Sequence, residues 1–449
     1  MPGEVSQSAP LARRDLEDIV RRALDEARAQ GAHQAEIGVS VDTGLGVTVR
    51  LGEVETLEYQ RDRGLGVTVY FNQRKGSAST ADLRPEALRE TVQKACSIAR
   101  FTAADEFAGL ADADLMARDW PDLSLSHPWE ITPEASIEIA RACEAAALGT
   151  DARVRNSEGA SLSTHRGLRV YGNTHGFVGG FESTGHSLSC SVIATEGEEM
   201  QRDYWYSTAR DWRELQEAET VGRQAAQRTI ARLASRKLAT RKAPVMFSPE
   251  MARGFFGHFL TAIRGGSQYR KSSFLLGAAG QQVFPAFMQI SERPHIPKAQ
   301  ASTPFDNDGV ATHDRELVKD GVLQGYVLSA YSARKLGLKT TGNAGGNHNL
   351  LVAHRGEDQA ALLRRMGTGF LVTELMGQGV NTVTGDYSRG ASGFWIEGGQ
   401  VQFPVHEVTI AGNLRDLLRN VVAVGSDVDI RGGVRTGSLL LQEMTIAGE

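Results

Sequence analysis

Cysteine is nearly absent. The chain of 449 residues has three, Cys96, Cys143 and Cys190, far apart and without a CxxC pair. That excludes a disulfide framework and a thiolate zinc site. Cys96 and Cys143 fall at apolar helix positions, where cysteine acts as a small hydrophobe. Sparse, unpaired cysteine fits a reducing cytoplasm, the expected location. An excess of basic charge is also missing: 49 Lys and Arg face 54 Asp and Glu, a net charge of −5. A nucleic-acid surface would need the opposite balance. The aromatic residues are scattered, which argues against a base-stacking platform. No apolar run reaches eighteen residues, so no membrane span is expected. The opening MPGEVSQSAPLARRDLED lacks an apolar signal core and reads as a short ragged tail.

Short catalytic motifs are missing as well. There is no HExxH zinc helix, GxSxG elbow, GxGxxG or Walker A loop. The glycine-rich GFVGGF and GNAGGN lack strand-to-helix context and read as turns and bulges.

Periodicity supplies the organisation. Leu16, Ile19, Val20, Ala23, Leu24 and Ala27 mark a first helix closed by Gly31. AEIGVSVDTG, GLGVTVRLGEVETLEYQ and GLGVTVYFNQRKGSAST alternate apolar and polar residues, as strands do. The two GLGVTV copies, at 44–49 and 64–69, predict neighbouring antiparallel strands. Helices are predicted from Pro85 to Arg100 and from Thr132 to Gly149, joined by a long connection over 101–131. Strands are predicted over 153–207, and a long charged helix over 211–239. A boundary near 240 separates an N-terminal α+β domain, 1–240, from a β-rich C-terminal domain with few helices, 241–449. In the latter, strands are predicted in PVMF, GVLQGYVLS, TGFLVTEL, NTVTGDYS, GFWIEGGQVQF, HEVTIAG and GSLLLQEMTIAG. TIAG recurs at 409–412 and 445–448.

One helix looks like a metal helix. Ser248-Pro249-Glu250 reads as its start and Gly265-Gly266 as its end. It carries a single histidine, His258, among Phe255, Phe256, Phe259, Leu260 and Ile263. One imidazole cannot hold a catalytic metal without ligands from elsewhere, so His258 is read as a core or interface histidine. His348 and His354 lie in a Gly/Asn loop and the strand after it, and His165, His175 and His186 among turns. His406 precedes Glu407 in a strand, where neighbours face opposite ways. A site assembled in space from such dispersed histidines stays open.

Longer strings are more specific. GHFLTAIRGGSQYRKSSFLL, ASTPFDNDGVATHDRELVKDGVLQGYVLSAYSARKLGLKTTGNAGG and GDYSRGASGFWIEGGQVQFPVHEVTIAGNL resemble the PmbA/TldE branch of the TldD/TldE (modulator of gyrase) metallopeptidase family. So does the GLGVTV…KGSAST segment. The resemblance spans nearly the whole chain. It implies an α+β N-terminal domain, a β-rich C-terminal domain and a cytosolic bacterial peptidase assembly. The TldD branch carries HExxxH on the corresponding helix and a cysteine ligand later. Here His258 stands at the first histidine, Phe259 replaces the glutamate and Ile263 the second histidine, with no cysteine after Cys190. The resemblance therefore implies no catalytic, metal or cofactor residue in this chain. It implies instead a zinc-bearing TldD-type catalytic partner, a homodimer when the chain is alone, and extended peptide substrates, without nucleic acid or membrane. The competing expectations are a self-standing metallopeptidase with dispersed histidine ligands and a non-enzymatic peptide-binding regulator.

Overall fold

The computed structural model describes residues 11–448. Its N-terminal half is one six-stranded sheet of order β3-β2-β1-β4-β5-β6. The strands are β1 (Gln34–Arg50), β2 (Glu53–Phe71), β3 (Arg74–Thr80), β4 (Val154–Asn173), β5 (Val178–Glu196) and β6 (Glu199–Ala209). All neighbours are antiparallel, and the GLGVTV copies lie on adjacent strands β1 and β2. Four helices cover one face: α1 (Arg13–Ala29), α2 (Pro85–Phe101), α3 (Pro133–Leu148) and α4 (Ala218–Ile230). Leu16, Val20, Val92 and Ala95 of α1 and α2 pack on Ile37, Val39 and Val67 at one end of the sheet. Cys143, Ala147, Val221 and Ala225 of α3 and α4 pack on Val47, Leu162 and Val192 at the other. Gly222 lets α4 approach α3 closely, since a Cβ there would stand 2.0 Å from the Cys143 carbonyl oxygen. The three cysteines are free and buried.

The C-terminal half holds strands β7 (Arg241–Phe247), β8 (Ile290–Arg293), β9 (Arg315–Lys319), β10 (Val322–Leu323) and β11 (Asn349–Val352). They are followed by β12 (Gly369–Met376), β13 (Asp386–Glu397), β14 (Gln400–Asn413), β15 (Val421–Val424), β16 (Val434–Arg435) and β17 (Leu439–Ala447). Its helices are α5 (Pro249–Ile263), α6 (Gly265–Tyr269), α7 (Ala330–Leu336), α8 (Gln359–Met366) and α9 (Leu414–Arg419). One sheet runs β10-β9-β8-β11-β16. The other runs β14-β13-β12-β7-β17-β15, and β14 also pairs with β17, which closes it on itself. That closing seam joins the two TIAG copies, with Ile410 opposite Ile446. Phe255, Phe256, Phe259, Leu260 and Ile263 of α5 fill the core between the two sheets. The fold is α+β.

Several local expectations are corrected. Residues 1–10 of the expected tail lie outside the described residues, but Arg13–Asp18 are helical, held by Arg13–Glu17 and Arg21–Glu17 ion pairs. The helix over 211–239 shrinks to α4. Before it, the Asp211 carboxylate caps a short turn at Arg213; after it, Ala234 takes φ +60° and Glu199 accepts the Ala234 and Ser235 N–H groups. The basic end is therefore not a helix terminus, and Arg236 stacks 4.7 Å from the Phe403 ring. The Ser248 hydroxyl caps nothing and is buried without a hydrogen-bond partner. Gly265-Gly266 opens α6 rather than ending α5, because Arg264 is extended and already breaks the chain's path. GVLQGYVLS contains only the two-residue β10, and NTVTGDYS becomes strand only from Asp386.

Candidate functional site

His258 stands on the less buried side of α5, its ring 5.9 Å from the Tyr387 ring of β13 at 75°. Burial first, then the nearby Arg389 charge, holds its pKa below the ordinary imidazole value, so a neutral ring is favoured. Its helix neighbours face elsewhere. Phe259 and Ile263 are both 0% exposed, and Phe259 meets Phe284 edge-on at 5.2 Å. Positions five apart on a helix point roughly 140° apart, which is why 263 enters the core while 258 faces outward. Beside His258, the residues are a phenol, a guanidinium whose Nε is buried without a partner, and two glycines, Gly254 and Gly257, above which a Cβ would meet nothing. Among the described residues, no three His, Cys, Asp or Glu side chains are grouped to hold a metal ion. A zinc ion of the metallopeptidase kind does not fit this donor set.

The remaining histidines are dispersed. His165 lies in β4 and His186 in β5, not in turns; only His175 sits in the turn between them. Long alternating strands, not their glycines, decided this. His186 is buried, with Nδ1 2.9 Å from Thr164 Oγ1 and Nε2 3.0 Å from the His127 carbonyl. His348 is buried in the loop before β11, and His354 is exposed just past that strand rather than in it. His406 and Glu407 do meet, Nε2 to Oε1 at 3.2 Å, because Glu407 takes φ +56° and breaks the strand alternation.

Burial is the first cause lowering the pKa of His186, His258, His295 and His348. As pH falls below about 6.5, the unfolded chain takes up protons that these folded imidazoles resist, so they remove stability on the acid side. His348 is a buried example in the loop it anchors: its Nε2 donates to the Gly342 carbonyl at 2.8 Å. Replacing His348 by Asn is expected to narrow the difference in thermal midpoint between pH 7.5 and pH 5.5, measured against the parent chain. An unchanged difference would refute the assignment.

A second cluster joins the two halves. Glu36 of β1 accepts the Tyr70 hydroxyl at 2.8 Å and the Tyr171 hydroxyl at 2.9 Å. Asp308 approaches from the C-terminal half and accepts the Ala330 N–H at 3.3 Å. Burial and the Glu36 charge push its pKa up to about 6. Asp306 is pushed up to about 7 by burial and by Asp308, although three backbone N–H groups pull it down. The cluster brings β1 and β4 up to the segment between β8 and β9, which Asp308 in turn links to the first residue of α7; raised carboxyl pKa values here arise in a structural joint.

An open depression of about 720 Å³ lies on the face of the N-terminal sheet opposite the helices. Gly38, Ser40, Gly64, Gly66 and Arg169 line it. Sequence reading missed it, although small residues alternating with Val39, Leu65 and Val67 were the available signal: a strand with one apolar face and one stripped face. A smaller enclosed recess of about 250 Å³ is lined by Tyr204, Trp205, Tyr206, Arg228, Glu250 and Glu374, among others.

Models of the PmbA/TldA metallopeptidase family match this chain along most of its length: domain 1 over 35–99, the central domain over 126–233 and the C-terminal domain over 240–448. The Metalloprotease PmbA of Escherichia coli O157:H7 is 52% identical over 446 residues, covering 99% of each chain. The chain belongs to the PmbA/TldE branch of the TldD/TldE metallopeptidase family. A PmbA homolog from Haemophilus influenzae is 49% identical, covering 97% of this chain and 96% of its own. Among solved structures, a putative modulator of DNA gyrase from Bacteroides thetaiotaomicron has a TM-score of 0.92 at 28% identity, covering 98% of this chain and 100% of that one. TldE from Thermococcus kodakarensis has a TM-score of 0.84 at 20% identity, with 97% and 100% covered, and shares the fold. No described helix is long and apolar enough to cross a membrane.

Proposed function

We propose that this PmbA/TldE-branch chain is the non-catalytic subunit of a cytoplasmic TldD/TldE-type zinc peptidase that processes unfolded or modified peptides. The observation that carries this reading is α5. Its 259 and 263 positions are buried apolar side chains, and His258 stands without carboxylate or thiolate companions. The chain's task is then to shape the substrate cavity. The flat outer face at Gly254 and Gly257 and the stripped sheet face at Gly38, Gly64 and Gly66 admit close approach of an extended main chain. Main-chain recognition of that kind depends little on side-chain sequence. The division near residue 240 belongs to the same proposal, with β7 opening the half that carries α5. Alone, the chain is a homodimer that exchanges into a one-to-one complex with a TldD-type subunit.

The test compares peptide hydrolysis by this chain, by a TldD-type chain, and by both. The expected result is hydrolysis only when the TldD-type chain is present and a clear gain on adding this one. His258→Ala should leave turnover of the assembled pair largely intact. Hydrolysis by this chain alone with one tightly held zinc, or loss of turnover by orders of magnitude in a folded, assembled His258→Ala pair, would overturn the proposal.

A further inference from the structure

Strand β2 is much longer than its outer neighbour. β3 pairs only with Leu65–Phe71. Residues 53–64 pair with β1 on one side, and among the described residues no strand pairs with their other side. This stretch, EVETLEYQRDRG, is exposed almost throughout; Leu57 is 51% and Tyr59 75% exposed. It contains neither proline nor lysine, and its charges, Glu53, Glu55, Glu58, Arg61, Asp62 and Arg63, are of both signs and can pair with a partner's. An open row of backbone donors and acceptors beside two apolar side chains is a template for another strand.

The sequence of the edge complements itself. In an antiparallel pairing centred on Glu58, Leu57 lies opposite Tyr59 of a second copy, Thr56 opposite Gln60, and Glu55 opposite Arg61. Each of these pairs occurs twice. Leu57, Tyr59 and Arg61 share a face, since they stand opposite Val47, Leu45 and Thr43 of β1. Glu55, at the irregularity between Thr48 and Val49 of the β1 ladder, makes among the described residues a long 3.5 Å contact with half-exposed Arg50 and can turn to the new partner. Glu58 meets its own copy on the axis, the one unfavourable pair.

We propose that residues 55–61 of β2 pair antiparallel with the same residues of a second copy of this chain, about a two-fold axis at Glu58. The two sheets then become one twelve-stranded sheet with both helix layers on the same side. A two-fold contact requires only such self-complementarity. This rests on the homodimer proposed above and names its surface.

The test is a charge swap read by light scattering of the full chain at tens of micromolar. Glu55→Arg sets two guanidinium groups against each other in both copies of the 55–61 pair, and Arg61→Glu sets two carboxylates there. Each variant alone should therefore dimerise at least about tenfold more weakly. Mixed in equal amounts, the two variants form a heterodimer in which both 55–61 pairs hold opposite charges, so mixing should restore dimerisation that neither variant shows alone. The double variant Glu55→Arg/Arg61→Glu likewise restores opposite charges in both pairs, with the order reversed, and should dimerise as the parent does. Glu58→Gln should tighten the parent dimer. Glu58→Cys should cross-link to itself on mild oxidation, because the native cysteines are buried. A monomeric parent chain, single variants as dimeric as the parent, or a folded double variant that stays monomeric would each overturn the proposal. Peptide hydrolysis of the double variant with a TldD-type chain is read separately, so the edge can fail while the peptidase reading stands.

Discussion

Replacing Asp429 by Ala is expected to remove on the order of 3–5 kcal/mol of folding stability, the range for breaking one partner out of a buried ion pair. The Asp429 side chain is only 3% exposed and receives Arg253 at 2.8 Å and Arg431 at 2.9 Å. These arginines reach across to the N-terminal half: Arg253 donates to the Tyr206 hydroxyl at 3.1 Å, and Arg431 stacks 4.2 Å from the Trp205 ring. Arg228 approaches the same indole at 5.1 Å, so Trp205 lies against two guanidinium groups. Without the carboxylate, two partly buried cations face each other with only Glu250 nearby for Arg431. Urea unfolding measures the loss. A change under about 1 kcal/mol, as for exposed pairs, would show that the clasp is cosmetic. The pH dependence has a definite sign. Burial alone would raise the Asp429 pKa, but Arg431 and Arg253 outweigh it and the net shift is downward. The stability it contributes is present above the ordinary carboxyl value and is lost as pH falls below that value toward the folded one. The parent chain should therefore lose more stability than Asp429→Ala between pH 5 and pH 3.

Glu292→Ala is expected to cost a similar amount, on the order of 3–5 kcal/mol, with a different local signature. Glu292 of β8 is 1% exposed. It accepts Arg315 Nε at 2.6 Å, Asn343 Nδ2 at 2.9 Å and the His348 N–H at 2.6 Å. One carboxylate thus satisfies a cation from β9 and two points of the glycine-rich loop 342–348. Removing it orphans the Arg315 guanidinium, which is 14% exposed, and frees the loop from both anchors. Urea unfolding gives the global loss, and limited proteolysis should cut first within 342–348. Cleavage elsewhere with a small stability change would show that the loop is held by its other contacts, such as Ala344 N–H to Asp306 at 2.8 Å.

What the sequence determined by itself is what depends on near neighbours along the chain. Apolar spacing placed α1, α2 and α3, and Thr132 caps α3 as expected, its hydroxyl accepting the Ala135 N–H at 3.2 Å. Alternation placed β1, β2 and the long strands after 153, and repeated strings put GLGVTV beside GLGVTV and TIAG beside TIAG. The chemistry of α5 was equally local, since residue types at 258, 259 and 263 are read directly. Tertiary structure decided the rest. Charged helix propensity over 211–239 yielded at both ends to the Asp211 and Glu199 carboxylates, which offered the backbone better partners. A left-handed residue at Glu407 brought together two side chains that strand geometry alone separates. Glu36 met Asp308, and Arg253 met Asp429 across 176 residues, by way of sheet closure and the packing of the two halves. Such contacts are selected by shape and desolvation over the whole molecule. Periodicity shows which face of a strand or helix is buried, but the partner buried against it depends on how all the faces close together.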